Sequence, residues 1–202
     1  MAGKGRARPD HYTQKAKKEG YPARSVYKLE EIDQKNRLLK PGMRVLDVGA
    51  SPGSWSLYVI RKLKGQGHLA GVDLKPLNLP KKYPNFFFYQ GDIFTEEAGN
   101  FLREKGPYDL LLSDAAPNTS GNRLVDTRRS YDLVELVINL ADEQVGKGGA
   151  MVVKVFQGGD EEELFAKMGE IFNKVKRFKP KAVRSESFEI YFIGLDKREG
   201  SS

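Results

Sequence analysis

The chain has no cysteine among its 202 residues, which excludes a disulfide scaffold, a thiolate zinc site and a cysteine nucleophile. Histidine is nearly as scarce. His11 and His68 alone cannot build a histidine-rich metal centre, and no metal is expected. No apolar run approaches the roughly 20 residues of a membrane-spanning helix, so that class is excluded. The opening MAGKGRARPD carries charge with no apolar stretch behind it, which is not the pattern of a secretory leader. What is present, 39% hydrophobic and 30% charged residues, describes a globular chain of one-domain size. A cytoplasmic monomer is the simplest expectation.

The net charge of +7 is unevenly spread. Residues 1–28 hold eight Lys/Arg against Asp10 and Glu19, while the remaining 174 residues carry 26 basic and 25 acidic groups. A second cluster, Lys174, Lys176, Arg177, Lys179, Lys181 and Arg184, places six cations in eleven residues without an acid. Charge blocks of this kind often only solubilise a surface. Two of them, with Tyr12, Tyr21 and Tyr27 interleaved in the first, point instead to a nucleic acid, whose phosphates release counterions on contact. No strongly amphipathic segment accompanies the charges, so a membrane surface is disfavoured.

From residue 41 onward, short β-rich runs alternate with helical patterns. The runs are Arg44–Ala50, His68–Leu74, Phe86–Asp92, Tyr108–Ala116, Ala150–Gln157 and Phe188–Leu195, with a weaker one at Arg177–Val183. Helices are expected near 53–64, 94–105, 129–146 and 160–174, and an amphipathic helix over Val26–Asn36, where Val26, Leu29 and Ile32 share a face. The arm before it is expected to be extended or poorly ordered. Near-continuous apolar strands separated by helices imply an α/β fold, a mostly parallel sheet covered on both faces. The last two runs are joined by about four residues, RSES, too few for a parallel crossover, so they should form an antiparallel hairpin at one end of the sheet.

The first strand runs into LDVGASPGSW, where Gly49 and Gly53 bracket a tight turn into a helix. Such a turn is weak evidence alone, because many strand–helix junctions use glycine for packing. Its weight grows with Asp73, which ends the second strand 24 residues after Gly49, where an acid typically holds adenosine ribose hydroxyls. Asp92 and Asp114 end the third and fourth runs. Three acids at successive carboxyl ends of strands mark the place where open α/β sheets bind ligands. A dinucleotide favours G-x-G-x-x-G, which this turn lacks. S-adenosylmethionine carries a sulfonium, an ammonium and no phosphate, and suits acidic strand ends better than NAD does.

Lys154 interrupts the apolar run Met151–Phe156, and lysine is rarely buried without a partner. It is either a strand-end surface lysine or a group facing the cofactor pocket. Lys28 on the amphipathic helix and Glu189 in FEIYF are unremarked singly and gain meaning with it. The run Asp160–Glu163 is read as acids favouring a helix start rather than as a metal site.

With these residues together, the chain resembles the FtsJ/RrmJ-type RNA ribose 2′-O-methyltransferases, especially those acting on bacterial large-subunit (23S) ribosomal RNA uridine. The matching stretches are RSVYKLEEID, PGMRVLDVGASPGSWS, QGD, LLSDAAPNTSG, YDLVEL, VVKVFQG and FEIYFIG, from about Tyr12 to Leu195. The resemblance implies a Rossmann-like fold with a seven-stranded sheet and S-adenosylmethionine as cofactor. It implies a catalytic tetrad of Lys28, Asp114, Lys154 and Glu189, with Glu186 a competing carboxylate three residues before the last. It carries cofactor contacts to Gly53, Trp55, Asp73, Asp92 and Asp114. Lys154, neutral in the working state, would be general base, Asp114 would orient it, and Lys28 and Glu189 would hold the ribose.

The implied organisation is a basic arm at 1–24, a single methyltransferase domain at 25–196 and a tail at 197–202. The expected partner is ribosomal RNA, within the large subunit. Transfer RNA ribose methylation, a non-catalytic RNA-binding assembly module and a NAD-dependent enzyme stay as alternatives.

Overall fold

The computed structural model describes residues 10–117, 123–184 and 187–199. Residues 1–9 of the basic arm, 118–122 at the end of the SDAAPNTSG stretch and just after it, Ser185, Glu186 and residues 200–202 of the tail lie outside them. In chain order the elements are α1 (His11–Lys18), α2 (Val26–Asn36), β1 (Arg44–Val48), α3 (Ser54–Leu63), β2 (His68–Asp73), β3 (Phe86–Gln90) and α4 (Glu96–Lys105). They continue with β4 (Tyr108–Ser113), α5 (Arg123–Gln144), β5 (Val145–Phe156), α6 (Glu161–Ile171), β6 (Phe172–Phe178) and β7 (Glu189–Lys197).

The seven strands form one sheet in the order β3-β2-β1-β4-β5-β7-β6. Strands β1 to β5 pair in parallel, and β7 runs antiparallel between β5 and β6. This is the mostly parallel sheet with an antiparallel hairpin at one end that the sequence predicts. The strand order reverses direction at β1, and the gap between β1 and β4 at their carboxyl ends is where such sheets receive ligands.

Side-chain alternation divides the core into two layers. Val45, Leu110, Leu112, Val152, Tyr191 and Ile193 face α2 and α3 with Leu29, Ile32, Trp55 and Val59. Leu46, Val48, Leu111, Val153, Val155, Ile190 and Phe192 face the opposite layer with α5 and α6 residues such as Val137, Ile138, Leu164 and Met168.

Two expectations are corrected. The arm is not extended throughout, because residues 11–18 form α1. Asp10 caps that helix by accepting from the Thr13 amide at 2.8 Å, and Tyr12 stacks on Tyr27 of α2 with centroids 5.4 Å apart. The sixth strand lies at Phe172–Phe178 rather than 177–183, so residues 179–188, not RSES alone, connect it to β7. That longer connection is pinned to α2 by Glu31, whose carboxylate accepts from the Lys181 and Ala182 amides at 2.8 and 2.9 Å. The acidic run opens α6 as expected, with Glu161 accepting from the Gly158 and Gly159 amides.

Candidate active site

The turn after β1 sits on the carboxyl ends of the central strands. Gly49 adopts φ +78°, and a Cβ there would lie 2.7 Å from the Ala115 Cβ, so this position needs glycine for both its conformation and its close approach to the β4 end. The amides of Gly49 and Ala50 donate to Val72 O at 2.9 and 3.2 Å, and the Ser51 amide donates to Asp73 Oδ2 at 2.8 Å. Three successive donors of the turn are therefore committed to β2. They do not form the free cradle a pyrophosphate requires.

Beside this turn opens a cavity of about 420 Å³. Leu74, Ile93 and Phe94 give it an apolar wall, and Asp73, Asp92 and Asp114 give it carboxylates. The side chain of Asp92 also accepts from the Phe94 amide at 3.0 Å, so it forms a turn while facing the cavity. Apolar surface for an aromatic base, carboxylates for ribose hydroxyls, and negative charge for a cation fit S-adenosylmethionine. The same carboxylates would repel the pyrophosphate of NAD.

Gly53 and Trp55 adjoin the turn but are not among the residues lining the cavity. Gly53 starts α3 at φ +107° and packs toward Leu79. Trp55 is buried behind the turn, donating from Nε1 to Ser25 O at 2.9 Å. Ser54 Oγ accepts from the Ala23 amide at 2.7 Å. Together these two residues hold the start of α2 against α3, and so position Lys28.

The four residues of the implied tetrad come from α2, the residue just after β4, β5 and β7, and converge. Lys28 Nζ lies 2.5 Å from Glu189 Oε1 and 4.0 Å from Asp114 Oδ1. Lys154 Nζ lies 3.2 Å from Asp114 Oδ1 and donates to the Asp114 backbone O at 2.6 Å. Their side chains are only 10–17% exposed, so these charges are mutually compensated rather than dissolved in water. Burial alone would raise the Asp114 carboxyl, but the Lys154 and Lys28 charges and the Tyr191 hydroxyl outweigh it and hold the carboxyl below the ordinary range. Glu189 is the carboxylate that meets Lys28; Glu186 lies outside the described residues.

A second cleft, of about 330 Å³, is lined by Lys28 and Glu189 of this cluster together with Arg24, Ser25, Ala182, Arg184 and Ser187. Asp114 borders the first cavity and Lys28 with Glu189 the second. The approach of Lys28 to Asp114 thus links an acidic, apolar-walled pocket to a basic cleft.

Sequence reasoning did not single out Tyr191 or Asp47. Tyr191 is fully buried and donates to Asp114 Oδ1 at 2.7 Å. It lies two residues beyond Glu189 on a strand, hence on the same face, and that spacing is the signal that identifies it. Asp47 is buried under the turn, accepting from Ser56 Oγ at 2.6 Å. Burial pushes its carboxyl up to about 7, the Ser56 hydroxyl opposes this, and the charges of Asp114 and Asp73 add to the rise.

Comparison with known proteins agrees with this arrangement. The profile of the FtsJ-like methyltransferase family matches residues 21–197. The ribosomal RNA large subunit methyltransferase E of Treponema denticola is 50% identical over 188 residues, 93% of this chain and 94% of that protein. The protein of the same name from Borrelia garinii subsp. bavariensis is 52% identical over 185 residues, 92% and 95% of the two chains. Among solved structures, a candidate ribosomal RNA methyltransferase of Plasmodium falciparum superposes with a TM-score of 0.78 at 29% identity, covering 88% of this chain and 98% of that one. With the match spanning the turn, the acidic strand ends and all four converging residues, this chain belongs to the FtsJ-like methyltransferase family.

Proposed function

We propose that the protein transfers a methyl group to a ribose 2′-hydroxyl of RNA, and that its substrate is a uridine of large-subunit ribosomal RNA, presented within the ribosomal subunit. The observation that carries this reading is the convergence of Lys28, Asp114, Lys154 and Glu189 between an acidic pocket and a basic cleft. The names of the relatives support the ribosomal target.

Asp73 and Asp92 would hold the nucleoside of S-adenosylmethionine, Leu74, Ile93 and Phe94 its base, and Asp114 would lie toward its cationic end. The cofactor supplies an electrophilic methyl carried on a sulfonium sulfur. A ribose hydroxyl is a weak nucleophile until its proton is removed, and that removal falls to the Lys154 amine. Asp114 aims this amine through two acceptors, its backbone carbonyl and Oδ1. Lys28, tethered by Glu189, reaches from the basic cleft toward the same point and would fix the ribose. Holding the reacting groups in attack geometry is itself worth up to about 7–11 kcal/mol. Arg184 lines the approach and would meet phosphates, which position the strand without reading its sequence. The target nucleotide must be accessible, so a loop nucleotide or one unstacked from its helix is the expected substrate.

The test is methyl incorporation from labelled cofactor into unmodified large subunits, free 23S-type RNA and transfer RNA, with ribose methylations mapped in cells with and without the protein. Loss of one ribose methylation in large-subunit RNA supports the assignment. Methylation of transfer RNA alone redirects it, and binding without turnover reduces the protein to an assembly module. Lys154→Ala should abolish turnover and leave cofactor affinity near that of the unaltered protein.

A further inference from the structure

Strand β7 places Glu189, Tyr191 and Ile193 on the face that packs against α2 and α3. Across the ladder, Tyr191 stands directly opposite Lys154. Neighbours opposed in this way bring their side chains within reach of a common partner, and here that partner is Asp114. The Tyr191 hydroxyl donates to Asp114 Oδ1 at 2.7 Å, the same oxygen that faces Lys154 at 3.2 Å and Lys28 at 4.0 Å. Three donors therefore converge on one carboxylate oxygen, two of them lysine amines and the third a phenol.

Packing does not require the hydroxyl. The Tyr191 ring is fully buried, with the Trp55 ring 5.9 Å away at a tilt, and phenylalanine would fill the same space. A phenol buried in such a layer nonetheless needs a hydrogen-bond partner. Tyr191 is fully buried, and its hydroxyl meets Asp114 Oδ1. Burial, the Asp114 and Glu189 charges and the hydrogen bond itself all keep its proton on well beyond the ordinary phenol range. It is a donor at every working pH.

We propose that Tyr191 is a positioning residue for methyl transfer, its hydroxyl locking the Asp114 carboxylate in the plane that aims the Lys154 amine at the ribose hydroxyl. This rests on the reading of Asp114 and Lys154 as reacting groups. Trp55 supports it from behind. By packing on the Tyr191 ring and bonding Ser25 O, Trp55 keeps β7 and the start of α2 at fixed separation.

The test is Tyr191→Phe, compared with Lys154→Ala, in steady-state methyl transfer to RNA. Removing a hydrogen bond to a charged partner should lower kcat about ten- to a hundredfold. KM for cofactor and for RNA should stay within about twofold, and the melting temperature close to that of the unaltered chain, because the ring remains. Carboxyl carbon NMR should show Asp114 titrating at higher pH in Tyr191→Phe, a response that a packing role would not produce. Unchanged kcat in Tyr191→Phe, with Lys154→Ala inactive, overturns the inference and leaves the proposed function standing. Loss of folding, or a rise in KM without a fall in kcat, also overturns it by making the hydroxyl a stability or binding group. Retained turnover in Lys154→Ala overturns the catalytic reading, and this inference with it.

Discussion

Asp47 gives the structure a pH dependence that can be worked through in sign and size. It sits in β1 facing α3, 1% exposed, with Ser56 Oγ donating to it. Its carboxyl is raised from 3.8 to about 7 in the folded chain, chiefly by burial. Below about pH 4 both folded and unfolded chains hold the proton, and whatever Asp47 contributes to stability is fully present. Between about pH 4 and 7 the unfolded chain ionises while the folded one does not. Stability then falls by about 1.4 kcal/mol per pH unit, and the loss levels off above about pH 7 at about 4 kcal/mol. Asp47→Asn removes the titration and keeps an acceptor for Ser56. Any fixed cost of the amide enters equally at every pH, so only the slope is diagnostic. Urea midpoints measured for both proteins from about pH 5 to 8 should diverge in the variant's favour, by about 2–3 kcal/mol between pH 5 and 7. In melting temperature this is about 5–10 °C for a chain of this size. A difference between the two proteins that is flat across that range would refute the argument that Asp47 is buried as an acid.

Three further perturbations test the site and its surroundings. Glu189→Gln removes the charge 2.5 Å from Lys28 while keeping the shape, and should lower kcat/KM for RNA about three- to tenfold with cofactor affinity unchanged by calorimetry. Gly49→Ala forces a Cβ into Ala115 at φ +78°, so it should displace the Asp114 segment, abolish most activity and lower stability by about 1–3 kcal/mol in denaturant unfolding. Lys17 and Lys18 lie exposed in the last turn of α1, whereas Lys15 is drawn to Glu19 and Glu30, and Arg24 to Asp10 and Ala182 O. Replacing both Lys17 and Lys18 by alanine should flatten the salt dependence of RNA binding, by about 0.7–0.9 in slope for each phosphate no longer neutralised. An unchanged slope would remove α1 from the RNA footprint.

The strands were legible because their apolar runs are continuous and end in glycine or acid: β1, β2, β3 and β4 lie within the stretches read from 44, 68, 86 and 108. Helix α1 was not, because HYTQKAKK buries only Ala16. Its stability comes from the Asp10 cap and from Tyr12 on Tyr27, interactions that local pattern does not reveal. The α6–β6 boundary was missed because Ile171 and Phe172 continue an apolar pattern that serves a helix end and a strand start equally. In the site, Lys28, Asp114, Lys154 and Glu189 were reached through motif likeness rather than periodicity, since nothing local brings together residues up to 161 positions apart. Trp55 shows the reverse. Its place in SPGSW gives no sign of its structural partner, the Ser25 carbonyl that its indole meets.

The pairing of Lys154 with Tyr191 and of Phe156 with Glu189 also bears on which changes of chain length this protein can absorb. One residue added or removed between 189 and 191 would swap the two sides of β7, bringing Ile190 or Phe192 where a phenol and a carboxylate now stand. The same insertion in the connection at 179–188, outside both strands, leaves every opposed pair in place. Length variation among working versions of this enzyme should therefore collect in that connection and be absent from the few residues that follow it.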